Sequence, residues 1–239
     1  MKRLLLLAVV VTLAGAATTD RAEYMFFNRH LNRTWLDSAY NLLAAAHAAN
    51  PTDEHLLYLW SRIHDQKGDD SRTKAEKLTY FGRAKAIAET LIALNDQNDE
   101  GHCWWGVAQG RIGQTRGVLN SLFMVSGLKK AFGRAIELNP KHPTALDALG
   151  VLYYELPGFA GGNLDLSENY FKRSIESDPG YTLARLDLAK VYIKQKRWLA
   201  ARGQLNALLA TVDPKYPGDS ELDDKPEARE LLKRIEGKQ

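Results

Sequence analysis

The feature that most constrains this chain is a spacing that returns along it. Ser167, Phe171, Ser174 and Pro179 recur 34 residues later as Ala201, Leu205, Leu208 and Asp213, and Leu128, Phe132, Ala135 and Pro140 keep the same internal intervals. Residues at i, i+4 and i+7 share one face of an α-helix. Small side chains there let a second helix approach, a Phe or Leu fills the space between them, and a Pro shortly afterwards stops the helix because it lacks the N–H and clashes with the preceding turn. Such a unit cannot bury its apolar face alone, so copies must stack. The fold expected is an all-α solenoid of antiparallel helix pairs.

The same intervals extend outward. Ala39, Leu43, Ala46 and Pro51, and Ala84, Ala88, Leu91 and Asp96, give two earlier second helices. Between them lie four first helices, marked by Leu57, Trp60, Ser61 and His64; by His102, Trp105, Gly106 and Gln109; by Leu146, Leu149, Gly150 and Tyr153; and by Arg185, Leu188, Ala189 and Tyr192. Asp53 or Thr52 can cap the first of these. Tyr24, Phe26, Phe27 and Leu31 outline one face of a helix leading into the stack. The repeats expected are 20–53, 54–98, 99–142, 143–181 and 182–215, within one domain spanning 18–239.

Second helices begin at 39, 84, 128, 167 and 201, whereas the step from each to the next first helix is always 18 residues. All variation in repeat length therefore falls between the two helices of a repeat, along one edge of a solenoid. Around Asp65 to Lys77 the extra residues are polar, as in a solvated turn or helix extension. Around Gly113 to Gly127 they are apolar, and Leu119, Leu122, Phe123 and Met124 are either core or an exposed contact for a partner or a second copy. Residues 157–163, Pro-Gly-Phe-Ala-Gly-Gly-Asn, have the glycines of a sharp turn but not the Gly-Lys-Ser/Thr ending of a phosphate loop. Residues 213–225 read as a Pro-, Gly- and acid-rich loop, and 226–236 as a short capping helix with Pro at its start.

Met1-Lys2-Arg3, an apolar run from Leu4 to Ala14, and Ala14-Gly15-Ala16-Ala17 form the pattern of a secretory leader, residues 1–17. Cleavage is expected after Ala16 or Ala17. Loss of Lys2 and Arg3 takes the formal charge from +3 to +1, which argues against a nucleic-acid partner. Cys103 is the single cysteine, so the chain can form no internal disulfide and has no cysteine at the cleavage site to carry a lipid. The expectation is an exported, periplasmic protein with no stable membrane insertion once the leader is gone.

The densest run of chemically capable residues is His102-Cys103-Trp104-Trp105. Adjacent side chains on a helix point about 100° apart, so His102 and Cys103 do not face each other as base and nucleophile. Trp105 is expected in the core and Cys103 half-buried. No two of the six histidines stand at i, i+4, so no metal is expected. The acidic pairs Asp69-Asp70 and Asp223-Asp224 read as solvated loop residues. Neither catalysis nor a cofactor is expected. What remains is the concave surface lined by the first helices, with His55, Tyr58, Arg62, Cys103, Val107, Arg111, Asp147, Val151, Tyr154, Glu155, Leu186, Lys190 and Lys194 in or near it. That mix of aromatic, apolar and cationic groups suits a protein or peptide partner.

The repeat pattern resembles the tetratricopeptide repeat. Trp104-Trp105-Gly106, the block from Ala131 to Pro140, Leu149-Gly150-Val151-Leu152-Tyr153 and the turn Pro157 to Gly162 together resemble periplasmic repeat proteins associated with tripartite ATP-independent (TRAP) transporters. More distantly, they resemble the eukaryotic regulators of microtubule dynamics. The transporter-associated resemblance implies a scaffold that docks a solute-binding protein, as an oligomer with a path for a hydrophobic ligand. The chain departs from lipoprotein members in lacking a lipidated cysteine, and from carboxylate-clamp grooves in lacking their Lys and Asn pattern. The alternative function is a carrier of a small apolar ligand near Trp104, Phe123 and Tyr154.

Overall fold

Every copy of the repeated spacing becomes the buried stripe of a helix. Ala39, Leu43 and Ala46, Ala84, Ala88 and Leu91, Leu128, Phe132 and Ala135, Ser167, Phe171 and Ser174, and Ala201, Leu205 and Leu208 are all buried. The structure is a computed structural model that describes residues 17–239 without the side chains of 118–121. Residues 1–16 of the expected leader and the Leu119 side chain lie outside it. Among the described residues there is helix and turn but no strand.

The chain divides into two compact units, Met1–Thr115 and Arg116–Gln239. The division falls inside the expected third repeat, between its two helices. In the first unit, a helix over residues 17–27 (α1) is followed by α2 (Trp35–Ala49), α3 (Glu54–Asp69), α4 (Lys74–Leu94) and α5 (Asp99–Arg116). Of the residues expected to line α1, Phe26 is buried with Ala22 against α2 and α3, whereas Tyr24 and Leu31 are exposed. α1 is thus a fifth first helix. The polar insertion at 65–77 lengthens α3 and α4, leaving a short turn closed by a Thr73–Glu76 capping box.

The second unit holds α6 (Val118–Leu138), α7 (Pro143–Glu155), α8 (Leu164–Ser177), α9 (Thr182–Lys194) and α10 (Trp198–Leu209). A continuous helical run over 217–234 follows: α11 (Pro217–Asp219), a π-turn (Ser220–Asp224) and α12 (Lys225–Arg234). The expected loop at 213–225 is therefore helical over most of its length. Ala228 and Leu231 pack into the same core as Leu186, Leu205 and Leu208, so the segment seals the end of the stack by burying apolar surface.

Small residues set how closely helices approach. Ser61 donates to the Ala84 carbonyl at 3.0 Å, and Ser167 to the Gly150 carbonyl at 2.8 Å. A Cβ on Gly150 would lie 2.6 Å from the Phe171 ring, and one on Gly68 2.4 Å from the Phe81 ring. The constant 18-residue step also has a cause. Asn50, Asn95, Asn139 and Asp178 each end a second helix with extended φ, near −141°, −150°, −135° and −148°. In three of these turns the carboxamide or carboxylate oxygen accepts a backbone N–H two residues on, from Gln97, Lys141 or Gly180. The Pro or Asp credited from sequence follows a turn already made by its neighbour.

α5 departs from its template. Cys103, Trp104, Ala108 and Ile112 are buried, whereas Trp105 is half-exposed with its Nε1 donating to Glu89. The expectation of Trp105 in the core and Cys103 half-buried is corrected. Leu91 and Ile92 of α4 lie against Gly101 of α5, and the buried stripe of α5 runs one residue off its template.

Candidate partner-binding groove

In the first unit the expected groove residues come from α3 and α5. His55, Tyr58 and Arg62 follow the i, i+3, i+7 face of α3. His55 Nε2 lies 3.1 Å from Glu23 on α1. Arg62 is 4% exposed; its guanidinium lies 4.7 Å from the Phe27 ring centre, 4.9 Å from Trp104, 5.4 Å from Phe26 and 5.7 Å from Tyr58, whose hydroxyl accepts from it at 2.9 Å. Four π faces replace water around this cation. Phe26 also carries Arg29 at 5.4 Å on its ring. On α5, Cys103 is fully buried, Val107 is partly exposed, and Arg111 reaches back to Asp69 at 2.6 Å and Asp65 at 3.9 Å. Asp69 is thus a paired residue of a helix end rather than a solvated loop residue.

In the second unit, α7 supplies Asp147, Val151, Tyr154 and Glu155, and α9 supplies Leu186, Lys190 and Lys194. Leu186 is core and Glu155 and Lys194 are exposed. The Lys194 ammonium lies 4.3 Å from the Tyr154 ring centre and donates to the Tyr154 carbonyl at 3.1 Å. Lys190 bridges Asp187 and Glu227, both at 3.0 Å. Burial opposes its charge, but the two carboxylates prevail and hold the ammonium above its ordinary range.

Of the buried acidic cluster in this unit, the sequence pointed only to Asp147, not to its neighbours Asp187 and Asp224. Asp147, Asp187 and Asp224 are all buried. Thr182 donates to Asp224 at 2.6 Å, which ties the π-turn to α9, so Asp224 is buried and bonded rather than solvated in a loop. Burial pushes the Asp224 carboxyl up to about 7 against the hydrogen bond from Thr182, with Asp219, Asp187 and Asp223 adding to the rise. Burial, then Asp187 and Asp224, raise Asp147 well above the usual carboxylate range. Its Oδ1 has no hydrogen-bond partner among the described residues. Asp187 is also raised by burial, against the pull of Lys190. The signal that could have found this cluster is Asp224 heading a Pro-containing helix, opposite two Asp on first-helix faces.

The apolar stretch divides. Phe123 is 89% exposed, while Leu122 and Met124 are partly covered. Of the residues proposed for an apolar carrier, Trp104 lies in the first unit and Phe123 and Tyr154 in the second. Among the described residues no group of His, Cys, Asp and Glu is arranged to hold a metal ion, and no helix is long and apolar enough to cross a membrane.

A family model described as regulator of microtubule dynamics protein 1-3 matches residues 25–159, and a tetratricopeptide-repeat model matches residues 159–217. Among relatives, regulator of microtubule dynamics protein 1 of Bos taurus is 26% identical over 205 residues, covering 78% of this chain and 63% of the relative. The Homo sapiens protein of that name is 27% identical over 182 residues, covering 68% and 56%. The chain thus spans less than two thirds of the length of these relatives. Among solved structures, a thermophilic TPR protein of Thermus thermophilus is similar, with a TM-score of 0.66 at 18% identity over 88% of this chain and 98% of that one. So is a tetratricopeptide repeat protein of Parabacteroides merdae, with a TM-score of 0.54 at 17% identity over 95% and 79%.

Proposed function

The chain belongs to the regulator of microtubule dynamics protein 1-3 family and carries a tetratricopeptide-repeat fold, and from that premise we propose that it is a non-catalytic scaffold that holds a protein partner. The observation that carries this reading is the makeup of the first-helix faces. In the second unit α7 and α9 offer partly exposed Val151 and Tyr154 beside the exposed charges of Glu155 and Lys194, and in the first unit α3 and α5 offer partly exposed Tyr58 and Val107 beside the exposed His55 ring. A surface of that composition binds an extended or helical segment through anchors and a charged rim. Residues 18–239, immobilised, retain a specific protein. Glu155→Lys with Lys194→Glu removes that retention without loss of helical circular dichroism, and Lys130→Glu, exposed on α6, leaves it unchanged. Equal retention by all three proteins would overturn the groove as the binding surface.

We propose further that the scaffold acts after export, docking a component of a periplasmic transport system. The leader pattern of residues 1–17 and the resemblance to transporter-associated proteins support this. An exported product that begins at Ala17 or Thr18 and retains a solute-binding protein is the expected outcome. A product beginning at Met1 counts against export.

A further inference from the structure

A cleft of about 430 Å³ opens in the first unit, lined by Asp69, Lys74, Lys77, Phe81, Arg111, Gln114 and Thr115. It lies where the lengthened α3 and α4 meet their turn, with α5 as the far wall. Three of the lining side chains are cationic and one is anionic. The Asp69 carboxylate is engaged by Arg111 at 2.6 Å, and the Lys77 ammonium reaches only the Asp69 carbonyl, at 3.4 Å. Lys74 is exposed and has no polar partner among the described residues; nor has Gln114. With Asp65 counted as the second carboxylate on Arg111, the cleft keeps one positive charge in excess, with an amide beside it and the Phe81 ring closing the floor. Asp65 lies behind Arg111 at 3.9 Å, and Glu76 is turned into the capping box with Thr73.

We propose that this cleft binds a small dianion carrying carboxylate or phosphate groups, held by Lys74 and Lys77 on α4 with the Gln114 amide of α5 as a further donor. The volume is at the lower end for small-molecule sites and suits a metabolite rather than a folded partner. The lysines supply point charges to an oxyanion, whereas the Arg111 fork is taken up by Asp69 and Asp65. The Gly68–Phe81 contact holds α3 against α4 beneath the lysines, and the Arg111–Asp69 pair ties α5 to α3.

The test is NMR titration of residues 18–239 at low ionic strength with inorganic phosphate in one arm and succinate in the other, and sodium chloride matched for ionic strength as control. The expected result is saturable shifts at Lys74, Lys77 and Gln114 amides with a Kd of about 1 mM in at least one arm. The arm with the tighter Kd names the class. Lys74→Gln, whose side chain contributes no contact to the fold, weakens that Kd about tenfold with an unchanged melting temperature. Shifts equal to those of chloride, no saturation in either arm, or an unaltered Kd in Lys74→Gln would each overturn the proposal.

Discussion

Two neighbouring residues of α3 are stripped of water in opposite ways. Arg62 keeps its charge because ring faces and the Tyr58 hydroxyl surround it. His64 gives its charge up: it sits against Trp60 at 4.3 Å and Tyr40 at 5.3 Å, its Nδ1 donating to the Trp60 carbonyl at 2.9 Å. Burial, against that hydrogen bond, lowers its pKa from 6.5 to about 4. The unfolded chain binds the proton first, so the stability from a neutral His64 is complete above pH 6.5 and drains away as pH falls towards 4, by about 3 kcal/mol. NMR titration should show His64 neutral at pH 5. Asp147 and Asp224 work the other way. Their folded pKa values are raised, so stability is complete below the ordinary carboxylate value and is lost as pH rises, for Asp224 until about 7. Asp147→Asn, isosteric and uncharged, should raise the melting temperature at pH 8 and flatten its dependence between pH 4 and 8. Neither effect could be read from sequence, because burial of a polar side chain is a property of what other helices bring to it.

At the scale of the helix, contacts between glycine and phenylalanine fix the hairpins. Gly150→Ala puts a methyl carbon 2.6 Å from the Phe171 ring, and urea denaturation should show a loss of about 3 kcal/mol. Phe171→Leu in the same chain should recover part of it, which separates a clash from a helix-propensity effect. Lys196 holds a left-handed φ of 60° between α9 and α10, so Lys196→Gly should stabilise by about 1 kcal/mol. Helices announced by periodic small and aromatic residues were legible in the sequence to within a few positions. Two elements were not. The buried face of α5 runs one residue off the repeat template. Residues 217–224 look like a loop because Pro, Gly and four acids disfavour helix, yet burial of Ser220 and Asp224 against α9 holds them in one. His55, Glu155 and Lys194 are exposed as groove candidates should be, whereas Asp147, expected in the groove, is buried, and its partners Asp187 and Asp224 went unseen.

For the whole molecule, the two units carry separate cores, one centred on Phe26, Leu43 and Ile63, the other on Phe171, Leu186 and Leu205. A fragment of residues 116–239 is expected to fold by itself, with helical circular dichroism and one cooperative melt. Its stability should fall from pH 4 to 8, opposite in sense to the acid sensitivity that His64 gives residues 18–115. Strand-like dichroism or a gradual melt would count against this. The number of helices and the joint of each repeat that absorbs extra length were legible because both follow from intervals along the chain. The division at Thr115 was not, since no interval marks it.

The Asn or Asp turn that closes α2, α4, α6 and α8 has a consequence for how such a chain changes over time. Each repeat has one joint whose length is free and one whose length is fixed. Residues gained at the free joint lengthen a single hairpin and leave the neighbouring repeat in register, whereas one residue gained at the fixed joint would rotate everything beyond it by about 100°. Novelty can therefore accumulate at the free joint of each hairpin, repeat by repeat, while the packing of one repeat on the next is inherited unaltered.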